Sequence, residues 1–387
     1  MAAAPPQHRH QSSLEAIINF SPPQSFAPEQ RARARRTFYS ILDHFNAADN
    51  SRRHGYRRTL LLRHTYEYSR SELSKDTFLR AFFQFMDVDI EQENIDLDDE
   101  EVEDQIGSDL TTFADFLIDH FFLPLKASGH QTPQPSPAHL SAIRKVQGIH
   151  EFTGTPDRVS ILRGSCLVRD RHRCVISRIF DQQEAIARLT QNLQGAQDDD
   201  GNSLLGQPTM MLEVAHVLPH SLTQTDANSQ LNDSKKAALM ILNMFDCDVA
   251  HLIDGINIDR PLNAISLTRD LHTHFGNFTV FFEPVPGQEH TYRIDTFLPQ
   301  GILPGTPITR TLYLTDDRSI EPPSPRLLAV HRAIAYILHL SGAGGYIDNI
   351  FRDMEQMGIR QDGSTELGRL VKLRLGGWLD GAVDAYS

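Results

Sequence analysis

Apolar residues recur at helical spacing through the first third of the chain. The stretches that begin at residues 29, 74 and 111 place Phe, Leu and Ile three or four positions apart, as on the buried face of a helix. Phenylalanine stripes of this kind indicate a helix core rather than a base-stacking surface. We therefore predict a helical region over 29–127, between a disordered, Pro/Gln/Ser-rich segment at 1–28 and a Pro-rich linker at 128–137.

Short apolar runs replace this spacing in the middle of the chain. The runs SCLVRDRHRCVIS, TMMLEVAHVLP, NAISLT, NFTVFFEPV and YRIDTF predict β-strands, and a helix is expected from about Ser234. Helical spacing returns over 318–387, where Ser324-Pro325 is suited to begin a helix and Gly342 to end it. The predicted fold class is α+β, with a compact domain over 158–300 between helical flanks.

Composition narrows the class of protein. The 387 residues are 40% hydrophobic and 22% charged, as in soluble globular proteins. Three cysteines without a CxxC pair exclude a four-cysteine zinc ribbon and suit a reducing compartment. We find no signal-peptide pattern and no apolar run long enough for a bilayer. We expect an intracellular protein, cytoplasmic or nuclear, that is neither secreted nor inserted in a membrane.

The charge is unevenly distributed. The net charge of −13 taken alone disfavours nucleic acid as a partner, but eleven acids and no Lys or Arg lie within residues 87–104. Residues 31–80 hold twelve Lys and Arg against five Asp and Glu. The acidic segment is typical of a solvated loop or helix face; the alternative is that it screens or mimics nucleic acid. The run RARARR at 31–36 fits a nuclear signal or an Arg-rich helix face equally.

Polar residues interrupt the apolar runs at one place. The segment LEVAHVLPHS carries His216 within a predicted strand, and His220 follows just beyond its end. Downstream, Asn263 stands in a loop before the strand AISL, and His272 comes nine residues later in a helical turn. The order predicts a strand–strand–helix hairpin with polar groups at its mouth.

This ordered set resembles the HNH endonuclease family, whose members have a ββα-metal fold. It is similar to a layout common in fungal and bacterial members, and the resemblance covers about 158–300. The matching residues are Arg173, Cys174, Val175, Ile176 and Ser177, then Ala215, His216, Val217, Leu218 and Pro219, then Asn263, Asp270, Leu271, His272 and Phe275.

The resemblance implies metal-dependent hydrolysis of phosphodiester bonds in nucleic acid, with DNA favoured over RNA. His216 would be the general base, since an unperturbed histidine titrates near neutral pH. Asn263 would orient the strand that carries His216. His272 would bind a divalent metal ion, Mg²⁺ or Mn²⁺, and Asp270 and His274 are further candidate ligands.

A basic segment before the hairpin is a candidate contact for phosphates. Its residues, with the histidine after the first strand, are Arg163, Arg169, Arg171, Arg173 and His220. Glu213 is set aside as a ligand, because in a regular strand it points away from His216.

Each of these residues also has a structural interpretation. His216 could be a core histidine, Asn263 an ordinary turn residue and the arginines a solvent-facing hairpin. Many HNH enzymes have an acidic residue or histidine where this chain has Ala215. The alternative function is therefore a binding or scaffold protein that keeps the HNH fold without cleavage.

Overall fold

A computed structural model of the chain describes residues 25–49, 55–90, 95–129, 155–224, 231–303, 305–356 and 367–378. The predicted disordered segment 1–28 and linker 128–137 lie almost entirely outside these residues, so both stay predictions.

The described part of the region 29–127 is helical, as the apolar spacing predicted. Its elements are α1 (Pro28–Asp49), α2 (Arg58–Glu67), α3 (Glu72–Phe85), α4 (Glu100–Leu117), a π-helical turn (Ile118–Phe122) and α5 (Leu123–Ser128). Phe38 is fully buried and meets the ring edges of Phe78 and Phe82 at centroid distances of 5.8 and 4.9 Å. The phenylalanine stripes are therefore core, which confirms that prediction.

The end of the acidic segment forms a helix start. The Asp99 carboxylate accepts hydrogen bonds from the backbone N–H groups of Glu101 and Val102, at 2.9 and 3.3 Å. Glu100, Glu101 and Glu103 occupy the first turn of α4, where the helix dipole favours negative charge. These acids thus have a local structural role in addition to solvation.

The middle of the chain combines short strands with helices. The helices are α6 (Thr155–Arg169), α7 (Gln182–Gln191), α8 (Asp233–Phe245) and α9 (Arg269–Gly276). The strands are β1 (Phe180–Asp181), β2 (Thr209–Met210), β3 (Leu212–His216), β4 (Ala264–Thr268), β5 (Val280–Pro284), β6 (Thr291–Thr296) and β7 (Ile308–Thr311). β1 and β2 pair in parallel; β3 pairs with β4, and β5, β6 and β7 pair in that order, all antiparallel.

The strand predicted from SCLVRDRHRCVIS is wrong in its first part. Residues up to Arg169 belong to α6. Val159, Leu162 and Cys166 are buried, and their spacing of three and four positions is helical. The β-type apolar run at the end of α6 concealed this longer period. The helix matters for the site, because it packs against both β3 and β4.

Three helices complete the described chain: α10 (Pro325–Leu340), α11 (Ala343–Gln356) and α12 (Leu367–Leu375). As predicted, the Ser324 side chain caps α10 and Gly342 follows it with a φ of +75°. Among the described residues, no single helix is long and apolar enough to cross a membrane. α10 and most of α11 reach that length only as a pair bent by 81°.

A single apolar cluster connects the helical flanks with the β3–β4 hairpin. Within it, α10 holds the end of α9 through His331, which is buried. The His331 ring stacks on Phe275 at a centroid distance of 3.9 Å, and its Nε2–H donates to the Phe275 carbonyl at 3.0 Å. The C-terminal helices therefore help to position the short helix that carries His272.

The buried state of His331 predicts a pH dependence of stability. Burial lowers the pKa of His331 to about 3, while its hydrogen bond to Phe275 acts in the opposite direction. In the unfolded chain His331 takes up a proton near pH 6.5, so its contribution to the free energy of unfolding is fully present above that pH. It is then lost as the pH falls towards 3, at up to about 1.4 kcal/mol per pH unit.

We expect the free energy of unfolding of the wild type, measured by urea titration, to fall more steeply between pH 6.5 and 4 than that of His331→Gln. Parallel curves for the two proteins would contradict the assignment.

Candidate active site

The antiparallel pairing of β3 with β4 positions His216 and Glu213. In its register His216 lies opposite Ala264, and Glu213 lies opposite Leu267. β3 ends at His216, and Pro219 precedes a short 3₁₀ turn over His220–Thr223. β4 leads directly into α9, so the strand–strand–helix order predicted from the sequence is present.

Asn263 connects the two loops at the open end of this hairpin. Its Oδ1 accepts from the Leu218 N–H at 2.9 Å, and its Nδ2 donates to the carbonyls of Leu218 and Ile258, both at 3.0 Å. Its own carbonyl accepts from the Val217 N–H at 2.7 Å. The side chain is fully buried, so Asn263 fixes the chain immediately after His216, as an orienting residue would.

His216 is held by a carboxylate from the loop before Asn263. The Nε2 atom of His216 lies 3.1 Å from Asp259 Oδ1, and His220 Nδ1 lies 2.8 Å from the same oxygen. Arg158 on α6 donates from Nε to the other oxygen, Oδ2, at 3.2 Å. Sequence reasoning missed Asp259 and Arg158. The signal for Asp259 was an acid four positions before Asn263. For Arg158 we see none, because it lies in the first part of α6, for which no element was predicted.

The electrostatics keep His216 neutral and Asp259 charged. Burial lowers the pKa of His216, and the hydrogen bond to Asp259 offsets this only in part. Burial by itself would raise the pKa of Asp259, but the hydrogen bonds from His216 and His220 bring it well below its usual range. A neutral imidazole beside a fixed carboxylate is suited to accept a proton.

His272 finds its partner in Glu213. The His272 Nδ1 atom lies 2.8 Å from Glu213 Oε2, and His272 is 2% exposed. The hydrogen bond from His272 lowers the pKa of Glu213, against the opposing effect of burial. The sequence analysis set Glu213 aside as a ligand, and the structure places its carboxylate against His272 because α9 packs on β3.

The two other candidate ligands do not join His272. Asp270 is exposed, and His274 lies beside Thr279, with Nδ1 3.4 Å from the Thr279 hydroxyl. Residues two positions apart point to nearly opposite sides of a helix, and α9 is regular here. The expectation that Asp270 and His274 would share a metal with His272 is corrected on this geometry.

Most arginines of the predicted basic segment are either buried or paired with aspartates. Arg163 and Arg169 are buried, at 5% and 1% exposure, which argues against contact with a phosphate from solvent. Arg171 pairs with Asp200 and Arg173 with Asp198. The acidic run at 198–200 folds back onto these arginines and neutralises them. His220, expected at a phosphate, is engaged by Asp259.

Arg169 has a structural role instead. Its guanidinium forms two hydrogen bonds to Asp170, at 2.8 and 3.0 Å, and donates to the carbonyls of Pro261 and Ala264, both at 2.8 Å. Asp170 Oδ2 in turn accepts from the Ser266 N–H at 3.1 Å. The Arg169–Asp170 pair therefore connects α6 to the backbone on both sides of Asn263 and to β4.

Comparison with known proteins agrees with this geometry. The segment 174–283, which contains β3, Asn263, β4 and α9, matches the family described as HNH endonuclease. No curated protein and no solved structure gave a significant match to the chain. The family match supports a nuclease-type function acting on nucleic acid and a divalent metal as cofactor.

The donor atoms of the matched segment are compatible with a metal ion in two places. Among the described residues, His216, His220 and Asp259 form a group of three whose ligand atoms lie within 4.8 Å of one another, and this group could hold a metal. Glu213 and His272 supply one oxygen and one nitrogen in direct contact. The side chain of Glu213 is 26% exposed, that of Asp259 only 2%.

The structural role of Arg169 gives a prediction for stability. Replacing Arg169 with Ala leaves the Asp170 carboxylate buried without its counterion, which we expect to cost about 3–5 kcal/mol. The matched control is Arg171→Ala, which removes a partly exposed ion pair and should cost less than about 1 kcal/mol. Urea unfolding of both variants measures the difference. Equal losses would show that Arg169 is not a buried anchor of the fold.

Proposed function

We propose that this protein is a metal-dependent HNH endonuclease that hydrolyses phosphodiester bonds at the open end of the β3–β4 hairpin. The observation that carries the proposal is the neutral, buried His216 fixed by Asp259 and Asn263 within the HNH domain. We expect DNA as the substrate in preference to RNA.

His216 acts as the general base in this proposal. With its Nε2–H directed at Asp259, the basic lone pair of the ring lies on Nδ1, which takes the proton from the attacking water. The charge of Asp259 stabilises the imidazolium that forms, and Arg158 and His220 fix the carboxylate in place. Asn263 keeps the strand end from shifting while the proton moves.

Glu213 and His272 are the proposed metal ligands. A bound divalent metal supplies charge stabilisation at the phosphate and at the leaving oxygen. Glu213 is ionised and partly open to solvent, which suits a hard ion such as Mg²⁺ or Mn²⁺ that retains several waters. In the other group, Arg158 already compensates Asp259, and a metal there would take a nitrogen from the proposed base.

Removing the base should abolish most cleavage. We expect His216→Ala to lower the rate of plasmid DNA cutting in Mg²⁺ or Mn²⁺ by about 10²–10⁴-fold, the usual contribution of a general base. His251→Ala is the matched control, because His251 lies in the same domain but is exposed and should leave the rate unchanged. Parallel assays with RNA and with EDTA define the polymer and the metal requirement.

The same assay separates the enzyme from a non-cleaving protein. If folded wild type cuts neither DNA nor RNA with any of these metals, the proposal fails and a binding or scaffold protein with the HNH fold is the better description.

The metal ligands predict a different kinetic effect. Glu213→Gln and His272→Ala should each raise the metal concentration needed for half-maximal cutting by about tenfold or more. His220→Ala should leave that concentration nearly unchanged. The reverse pattern, with His220→Ala sensitive and Glu213→Gln unaffected, would place the metal at His216, His220 and Asp259.

A further inference from the structure

Two arginines, Arg178 within the matched segment and Arg310 after it, lie within electrostatic range of each other. Arg178 follows the RCVIS segment, and Arg310 lies on β7; both are partly buried. Within the part of the chain that the structure describes, neither forms an ion pair. Burial lowers the pKa of Arg178, and the charge of Arg310 lowers it further. Asp170 lies within electrostatic range of Arg178, but both of its oxygens accept from Arg169.

Neutral groups hold the two guanidinium groups in place. Arg178 Nη2 donates to the Thr311 carbonyl, and Arg310 Nε donates to the Ile176 carbonyl at 2.8 Å. The Arg178 guanidinium also stacks on the Tyr313 ring, 4.1 Å from its centroid. Its Nη1 is enclosed without a hydrogen-bond partner among the described residues. The pair is thus fixed in position, and among the described residues no carboxylate forms an ion pair with either guanidinium.

Such an arrangement is unfavourable unless an anion neutralises it. Two like charges repel, and their partial burial removes the water that would screen them. The contrast with the neighbouring Arg171 and Arg173 is clear, because both of those are paired with aspartates. Arginine guanidinium groups match the geometry of phosphate oxygens closely.

The pair is attached to the hairpin that carries the candidate active site. The Val175 N–H, three residues before Arg178, donates to the Ser266 carbonyl at 2.9 Å. Ser266 is two residues along β4 from Ala264, the partner of His216, which is about 7 Å of strand. A ligand at the arginines is therefore held in a fixed relation to the hairpin.

We propose that Arg178 and Arg310 form a phosphate site that binds the backbone of the nucleic-acid substrate. The proposal rests on the proposed nuclease function for its ligand. The phosphate site would anchor the strand at a point separate from the reacting phosphate.

Binding in EDTA tests the site without cleavage. We would measure fluorescence anisotropy of a short labelled DNA duplex and the corresponding RNA at several salt concentrations. Arg310→Gln should weaken binding. The double variant Arg178→Gln/Arg310→Gln should weaken it by about tenfold or more. The slope of log K against log salt concentration should decrease in magnitude by about one, as expected for the loss of one phosphate contact.

Two controls exclude a trivial result. Arg293→Gln changes an exposed arginine of the same sheet, on β6, that is paired with Asp295, and it should keep the wild-type slope. Arg310→Lys keeps the charge and should retain most of the slope. Because Arg178 also donates to Thr311, its replacement could unfold the protein, so thermal unfolding must show that each variant is folded. If the double variant is unfolded, the single Arg310→Gln variant tests the phosphate site. An unchanged slope in folded Arg310→Gln would overturn the site.

Binding of inorganic phosphate tests the arginine site independently of the proposed nuclease function. If the wild type neither binds nor cuts nucleic acid, the proposed function fails, and the site is then tested by the rise in melting temperature with added phosphate. A rise in the wild type that is absent from Arg310→Gln would keep an anion site for a free phosphate only and overturn the assignment to a nucleic-acid backbone. No difference between the two proteins would overturn the site altogether.

Discussion

The buried amide of Asn263 is the interaction on which the candidate site depends. It uses its oxygen and both N–H groups on the backbone of Leu218 and Ile258, and so joins the loop after His216 to the loop that supplies Asp259. A buried polar group left without its partner costs about 1–3 kcal/mol, so three such bonds define one arrangement of the two loops. The contact between His216 and Asp259 follows from that arrangement rather than from the strands alone.

The helices around the matched segment share its core, and two of them, α6 and α10, contribute to the site. α6 brings Arg158 to Asp259 and the buried Arg169 to the carbonyls beside Asn263. α10 fixes the end of α9 through His331. A short ββα unit buries little apolar surface by itself, and the shared core supplies the rigidity that positioned catalytic groups require.

Pairing of charges decides which basic residues remain open to a ligand. The acids at 198–200 neutralise Arg171 and Arg173, and Asp170 neutralises Arg169. Arg178 and Arg310 form no ion pair within the described chain. A run of arginines in the sequence is therefore a poor guide to the phosphate-binding surface, because the acids that cancel it lie elsewhere in the chain.

The sequence by itself determined the α+β class, the helical flanks and the order of the ββα hairpin, because periodicity and capping are local properties. It also singled out His216, Asn263 and His272 as candidates, and the nine positions from Asn263 to His272 span β4 and the first turn of α9. Only the tertiary structure decided their partners. Asp259 reaches His216 through a loop. Glu213 reaches His272 because α9 packs on β3. Arg169, at the end of α6, is buried against the carbonyls of Pro261 and Ala264. These contacts depend on which faces pack together, and short-range pattern in a sequence does not encode that packing.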